Sequence, residues 1–386
     1  MRSGVIVVYH LSVQLPFAGI IWQLLHHLIG FQRLGFDVNY LEDTGGWVYD
    51  AVGETFISDP TRNLTVVTTA LARHGFRGSV GFRDKSGEYL GISTAECIRL
   101  LRDADAVINL CGALDPAEEH ANARCLIYLG TDPGQFQVKL QQRDPKTMRC
   151  VAAHKLFFTY AWNLGGADCL LPTGGLQWKP TRPPIVLDYW APFAGLPDSG
   201  IFTTIGTWEN MGRDIEIGGE PYSWSKRINF LKMASVPDQS DQTIELATNL
   251  RSGPDYEQMK SAGFRIRSAI PLSLDADEYR KYIGLSRGEF TVAKDVVART
   301  RSGWFSDRSA CYLASGRPVV TQRTGFEQTL PTGAGLFHFD NAQEAAAAIR
   351  SINSDYLRHC RAAREIAGEY FDAAKLLKQI AEAAGL

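Results

Sequence analysis

The sequence predicts an α/β protein built as two doubly wound domains that face each other across a cleft. Three observations carry this reading. The chain opens as strand, loop, helix and strand; the same alternation restarts near residue 201; and a Gly-, Pro- and Trp-rich stretch, Thr173–Pro197, separates the two runs. At 386 residues the chain is long enough for two domains of ordinary size, each burying its own core.

Val5–Tyr9 is a β-branched apolar run of strand length, and Leu11–Pro16 is a loop. Gly19–Leu34 repeats apolar residues at helical spacing (Ile20, Ile21, Leu24, Leu28, Phe31), Gly35 ends it, and Asp37–Leu41 is a second strand. Such a β-α-β unit implies a parallel sheet with a right-handed crossover. Thr94–Arg102 and Ala106–Leu110 repeat the pattern, followed by a helix near Ala117–Ala123 and a buried strand, Cys125–Leu129, that ends at Gly130-Thr-Asp-Pro133. The second run holds a strand at Ile201–Ile205, a helix at Trp224–Met233 and strands near Thr243–Leu246 and Phe264–Ile266. It continues with a strand-end loop at Ser286–Phe290, a helix opening at Ser306-Asp307-Arg308-Ser309 and a strand at Pro318–Gln322. Amphipathic helices from Ala342 to Ala384 close the chain. The division is therefore residues 1–190, residues 191–365 and a terminal helix over 366–386.

Composition excludes several function classes. With 45% hydrophobic and 21% charged residues and a formal net charge of −2, the chain has no basic excess for nucleic acid. No run approaches the roughly 18 apolar residues of a membrane span, and Gly4–Val8 is too short for a signal-peptide core. The seven cysteines lack any CxxC pair and sit largely in apolar runs, the pattern of free thiols in a reducing cytoplasm. HExxH, GxSxG, Walker A and GxGxxG patterns are all missing from the sequence, and neither Asp-x-Asp triplet extends into a calcium loop, so no metal is expected.

Polar residues at predicted strand ends are the candidate site. His10 ends the first strand, with Gly19 at the head of the following helix; an imidazole there suits a general base. Asp132 lies just past a buried strand and suits orienting a hydroxyl or a base. His154 and Asn163, flanking an aromatic run, are candidate acceptor-side groups. On the second half, the Gly206 turn and the Tyr222–Arg227 segment, with Lys226 and Arg227, suit a diphosphate by charge. Glu289, in its loop, suits ribose or sugar hydroxyls. Ser302, Ser306, Asp307, Arg308 and Ser309 form the densest polar cluster, at a helix N-terminus beside a strand end, where backbone N–H groups favour an anion.

Ala310-Cys-Tyr-Leu-Ala-Ser-Gly-Arg-Pro-Val-Val320, preceded by Gly303-Trp-Phe-Ser306 and followed by Gly333-Ala-Gly-Leu336 and Asn341–Ile349, resembles the second domain of GT-B glycosyltransferases. These are enzymes of two Rossmann-like domains that use nucleotide sugars. The motifs cover roughly residues 286–350; the architecture covers nearly the whole chain. The resemblance implies a metal-independent transferase with no cofactor, taking a nucleotide sugar such as a UDP-sugar as donor and a small molecule or glycan as acceptor. With that architecture, the residues read above place the donor at Gly206, Lys226 or Arg227, Glu289, Ser302 and Ser306–Ser309, and the acceptor near Gly19, His154 and Asn163; the family's Arg-and-Lys phosphate pair is out of its usual frame after Gly206, so Lys226 or Arg227 stands in for it. If transfer inverts the anomeric carbon, His10 is the base, oriented by Asp132; if it retains, His10 binds acceptor. The two glutamates of the retaining families are absent, their positions holding Gly303 and Cys311. Their loss admits a catalytically degenerate GT-B binding or partner protein as the alternative, with a nucleotide-sugar epimerase of the same architecture as a third.

Overall fold

A computed structural model describes residues 4–117, 119–120, 123–195, 198–210 and 212–386. The first sheet has eight strands, in the order Trp178–Pro180, Leu156–Thr159, Leu126–Gly130, Ala106–Leu110, Val5–Tyr9, Asp37–Glu42, Val80–Arg83 and Tyr89–Leu90. Each neighbouring pair is parallel except Val80–Arg83 with Tyr89–Leu90. All five residues of Val5–Tyr9 and of Ala106–Leu110 are buried. This is what a strand covered by helices on both faces requires: Val5–Tyr9 is an unbroken apolar run, and Ala106–Leu110 is interrupted only by Asn109, whose amide is satisfied by Leu114 and His154.

The second sheet has six strands, all parallel, in the order Arg265–Ser268, Ile244–Thr248, Phe202–Ile205, Gly288–Thr291, Val319–Gln322 and Leu336–Phe339. In each sheet the chain runs outward from one strand, then returns to that strand's other side. The reversal lies between Val5–Tyr9 and Ala106–Leu110 in the first sheet, and between Phe202–Ile205 and Gly288–Thr291 in the second. Loops at such a switch point diverge and leave a crevice at the carboxyl ends of the strands. Here the two crevices open onto a common cleft.

Several elements differ from the sequence expectation. Ser286–Phe290 is not a loop: Gly288–Thr291 is a fully buried central strand. Trp178–Pro180, within the Pro-rich stretch, is the edge strand of the first sheet, a place where proline's missing N–H costs no ladder bond. The helix expected over Trp224–Met233 begins at Arg227, because Trp224 and Ser225 are buried in the preceding turn. The helix expected near residues 117–123 includes 118, 121 and 122, which lie outside the described residues. The last helix is Ala373–Ala383, after a break at Phe371 and Asp372, and 366–370 complete the preceding helix, Tyr356–Tyr370.

That last helix returns to the first domain. A Cβ on Gly30 of the helix Ala18–Arg33 would lie 2.3 Å from Leu377, so glycine permits this close approach. The Ile185 N–H donates to the Phe371 carbonyl (2.6 Å) and the Ala373 N–H to the Ile185 carbonyl (3.0 Å), tying the crossover to the chain's end. Indole donors bridge the domains as well: Trp22 Nε1 to the Ala276 carbonyl and Trp304 Nε1 to the Thr131 carbonyl, each at 2.8 Å. Among the described residues, no helix is long and apolar enough to cross a membrane.

Candidate active site

The cleft between the domains encloses about 570 Å³ and is lined from the first domain by His10, Gly19, Gln23, Cys111, Asp132 and others, and from the second by Arg213, Trp224 and Asp307. Its second-domain wall is built for an anion. Helix Asp307–Ala314 starts at the cleft, and its N-cap Ser306 makes no side-chain cap, so the first turn presents amides that no side chain covers. Lys226 is buried, and its Nζ has no hydrogen-bond partner among the described residues. Burial, and next the Arg308 charge, push its pKa well below that of a free lysine. Gly206 ends the central strand beside it: a Cβ there would lie 3.2 Å from Arg308 Nη1 and 3.9 Å from Lys226 Nζ. The missing side chain leaves space beside Lys226 Nζ. Gly206, Lys226, Ser306 and Asp307 are thus brought together, as the sequence expectation required.

The first-domain wall is a directed chain of hydrogen bonds. Glu42 is fully buried and accepts the N–H groups of Val13 (2.7 Å) and Gln14 (2.6 Å) and the Tyr40 hydroxyl; burial raises its carboxyl to about 7. This fixes the loop after the first strand. The Ser12 N–H donates to Tyr40 Oη (3.2 Å), and Ser12 Oγ meets His10 Nδ1 at 2.8 Å. His10 Nε2 contacts Gln23 Oε1 at 3.0 Å, and Gln23 Nε2 donates to Asp307 Oδ2 at 3.1 Å. Because Gln23 presents its oxygen to His10, the imidazole carries its proton on Nε2 and accepts from Ser12 on Nδ1. His10 is 1% exposed, and burial lowers its pKa to about 3. It is held neutral with both ring nitrogens engaged, which leaves no free lone pair for a base at that position. At the end of this chain burial raises the Asp307 carboxyl to about 7.

Other expected site residues have different work. Arg308 is spent inside the second domain: Nε donates to Glu289 Oε1 (2.5 Å), Nη1 to the Ile205 carbonyl (2.9 Å) and Nη2 to Thr291 Oγ1 (2.9 Å). Glu289 is fully buried, so it meets Arg308 rather than a ligand hydroxyl. Arg227 turns away and forms a two-pronged pair with Asp255 at 2.5 and 2.8 Å, while Lys226 Nζ, buried behind the cleft lining, lies beside Gly206. Ser302 and Ser309 are buried with unpartnered hydroxyls and do not line the cleft.

Asn163 joins the domains instead of facing an acceptor. Its N–H donates to the Ser302 carbonyl (2.9 Å) and its Nδ2 to the Gly325 carbonyl (3.0 Å). His154 sits below the cleft floor, with Nδ1 on the Cys150 carbonyl (2.6 Å) and Nε2 accepting from Asn109 Nδ2 (3.2 Å). Gly19 does line the cleft, 3.3 Å in Cβ terms from the Tyr279 hydroxyl of the other domain. Asp132 pairs across the cleft with Lys294 at 3.0 Å, which rests over the Trp224 ring.

Sequence reasoning missed Gln23, Arg213, Trp224 and the lobe formed by Tyr128 and Phe136, whose rings stack at 4.2 Å. Gln23 left one trace, a polar position on the otherwise buried stripe of the first helix. The others carried no local signal. Cys111 left none either, although it adopts φ 55° at the strand end, a costly conformation of the kind that collects at functional sites.

No family model and no curated protein matches this chain. Solved structures do match over its whole length. Anabaena Alr3699/HepE, solved in complex with UDP, aligns over 99% of this chain and 99% of its own, at 15% identity and a TM-score of 0.56. AviGT4, a glycosyltransferase involved in avilamycin A biosynthesis, aligns over 98% of this chain and 96% of its own, at 12% identity and a TM-score of 0.56. A glycosyltransferase from Rickettsia africae ESF-5 aligns over 100% and 98%, at 12% identity and a TM-score of 0.56. The chain has the GT-B fold.

Within this GT-B frame, the two missing glutamates have physical explanations. Gly303 holds φ +78°, and a Cβ there would lie 2.7 Å from Asn163 Cγ. A side chain at that position is excluded by both backbone and space. Cys311 is a core residue 3.8 Å from His26 Nε2, so its position faces the interior instead of a ligand.

Proposed function

We propose that this GT-B protein is a glycosyltransferase that moves a sugar from a nucleotide-diphosphate donor, UDP-linked in the simplest case, to an acceptor entering from the first domain. The observation that carries the reading is the convergence of Lys226 Nζ, the open face of Gly206 and the side-chain-free first turn of helix Asp307–Ala314 at a topological switch point. The helix-start amides, and Lys226 once the diphosphate's own charge holds it protonated, stabilise the diphosphate as its bond to the sugar breaks, a route that needs no metal. UDP and UDP-glucose bound to the full-length structural neighbour Alr3699/HepE support the donor class. His10 and Asp132 then belong to the acceptor side, His10 as a hydrogen-bonding group.

The test is calorimetric titration of the protein with UDP-glucose and a panel of other nucleotide sugars, followed by assay for released nucleotide. Lys226→Met is expected to weaken UDP-glucose binding at least about tenfold, the scale of a lost charge-assisted bond of about 1.5–3 kcal/mol. Unchanged affinity would remove Lys226 from the donor site. The exclusion of side chains at Gly303 favours one second reading, a protein that binds the donor without transferring it. Tight binding with no turnover of any donor supports that reading, and product formed without an acceptor supports an epimerase.

A further inference from the structure

We propose that Asp307 is the catalytic acid of this cleft: it is protonated when the donor binds, hydrogen-bonds the diphosphate, and passes its proton to the phosphate oxygen that leaves. The inference rests on the donor site described above. Asp307 occupies the first position of the helix whose amides, with Lys226, draw the diphosphate. A carboxylate there would confront the ligand's own negative charge. A carboxylic acid instead supplies a donor where the ligand has only acceptors.

The surroundings of Asp307 favour the acid. Facing it are Gln23 from the first helix, Asp132 from across the cleft and Arg308 from its own helix. The unionised thiols of Cys111 and Cys311 and the buried phenol of Tyr160 lie close enough to feel its charge. Arg308 is the one cation of this set, and its guanidinium is already shared among Glu289, Thr291 and the Ile205 carbonyl. Desolvation, the largest influence, and Asp132 act against the carboxylate and outweigh the Gln23 hydrogen bond, the Asp307 amide and Arg308, which favour it; a bound diphosphate adds to the first two. Geometry places the proton. Gln23 Nε2 donates to Oδ2, so the hydroxyl is Oδ1. Gln23 is itself held by His10, whose other ring nitrogen meets Ser12, and this chain starts from the Glu42-bound loop. His10 and Gln23 are positioning residues in this scheme.

The step balances. The acceptor oxygen forms a bond to the anomeric carbon as the bond from that carbon to phosphate oxygen breaks. The released electron pair stays on the phosphate oxygen, which takes the Asp307 proton. The acceptor's hydroxyl proton goes to solvent, and solvent returns one to Asp307 after the nucleotide leaves. General acid catalysis of this kind is worth about 10²-fold or more in rate.

UDP-glucose is the suitable probe, because its diphosphate diester does not titrate near neutrality and any proton taken up on binding is the protein's. Calorimetry at pH 7.5 in buffers of different ionisation enthalpy measures that uptake. A group with a pKa of about 7 that becomes protonated on binding takes up about 0.8 proton at this pH. Lys226, whose ammonium form burial also disfavours, contributes a separate share. Asp307→Asn, which keeps the shape, is expected to bind UDP-glucose within a few-fold of wild type while losing about 0.8 proton of uptake. It is also expected to lower kcat about 10²-fold with little change in KM, and to abolish the fall in turnover that wild type shows above neutral pH. Gln23→Ala should shift that alkaline limb without removing it. Equal proton uptake in wild type and Asp307→Asn, or an alkaline limb that survives the substitution, overturns the inference and leaves the donor site standing. Failure of wild type to bind either UDP-glucose or inorganic pyrophosphate overturns the donor site, and this inference with it.

Discussion

Arg308→Ala is expected to unfold the second domain at markedly lower temperature, rather than to act only on ligand affinity. The guanidinium ties together three groups on two adjacent strands: Glu289 and Thr291 on one central strand and the Ile205 carbonyl on its neighbour. The Glu289 side chain is fully buried and that of Arg308 only 11% exposed. Removing the cation therefore leaves an uncompensated carboxylate in the core, and such losses cost about 3–5 kcal/mol. For a domain of this size that is on the order of 6–15 °C in Tm. Glu289→Ala should cost a comparable amount. The double variant should cost much less than the sum of the two, since each single change strands the other partner. Thermal denaturation of the three variants measures this cycle directly. Additive losses, or an Arg308→Ala protein as stable as wild type, would show that the pair contributes nothing.

Gly303→Glu, which puts back the glutamate of the retaining GT-B families, is expected to disrupt the protein. Two costs add. The backbone at φ +78° favours glycine, and a residue with a Cβ is strained there by about 1–2 kcal/mol. The new Cβ would also lie 2.7 Å from Asn163 Cγ and 2.9 Å from Asn163 N, the residue that hydrogen-bonds Ser302 and Gly325 across the domain boundary. Relieving that clash means breaking those bonds. The expected result is a loss of at least about 3 kcal/mol, seen as a lower Tm and as faster proteolysis at the junction near residues 301–303, with no gain in turnover. Gly303→Ala separates the contributions, because it carries the backbone strain and the first clash without the carboxylate. A stable Gly303→Glu protein with raised activity would mean that the junction is pliant and that the glutamate's role had merely been vacated.

The fold was legible because it is written in periodicity. Val5–Tyr9, Ala106–Leu110 and Asp307–Ala314 announced themselves by short apolar runs (broken once, at Asn109) and by a polar helix start, and the structure has each within a residue or so of its expected place. Doubly buried parallel strands must be apolar throughout, so their signal survives without any knowledge of neighbours. Strand ends were equally readable, and with them the side of each sheet on which the cleft opens. This is why sequence placed Gly206, Lys226, Ser306, Asp307, His10 and Asp132 at or next to strand ends and helix starts, where the structure has them.

Which way each side chain spends its hydrogen bonds was not legible. Arg308 and Asp307 are adjacent, yet one faces the sheet and the other the cleft; Lys226 and Arg227 divide in the same manner, toward Gly206 and toward Asp255. Along a helix turn, one residue's step rotates a side chain by about 100°, and sequence does not say where the partner lies. The sequence by itself determined two parallel sheets, their switch points and a polar helix start aimed at the gap between them. Only the tertiary structure decided that Glu289 and Arg308 neutralise each other inside the core, that Asn163 fills the space above Gly303, and that a chain from Ser12 through His10 and Gln23 ends on Asp307. Each of those outcomes depends on residues more than ten positions apart meeting in space, and pair contacts of that kind leave no periodic trace.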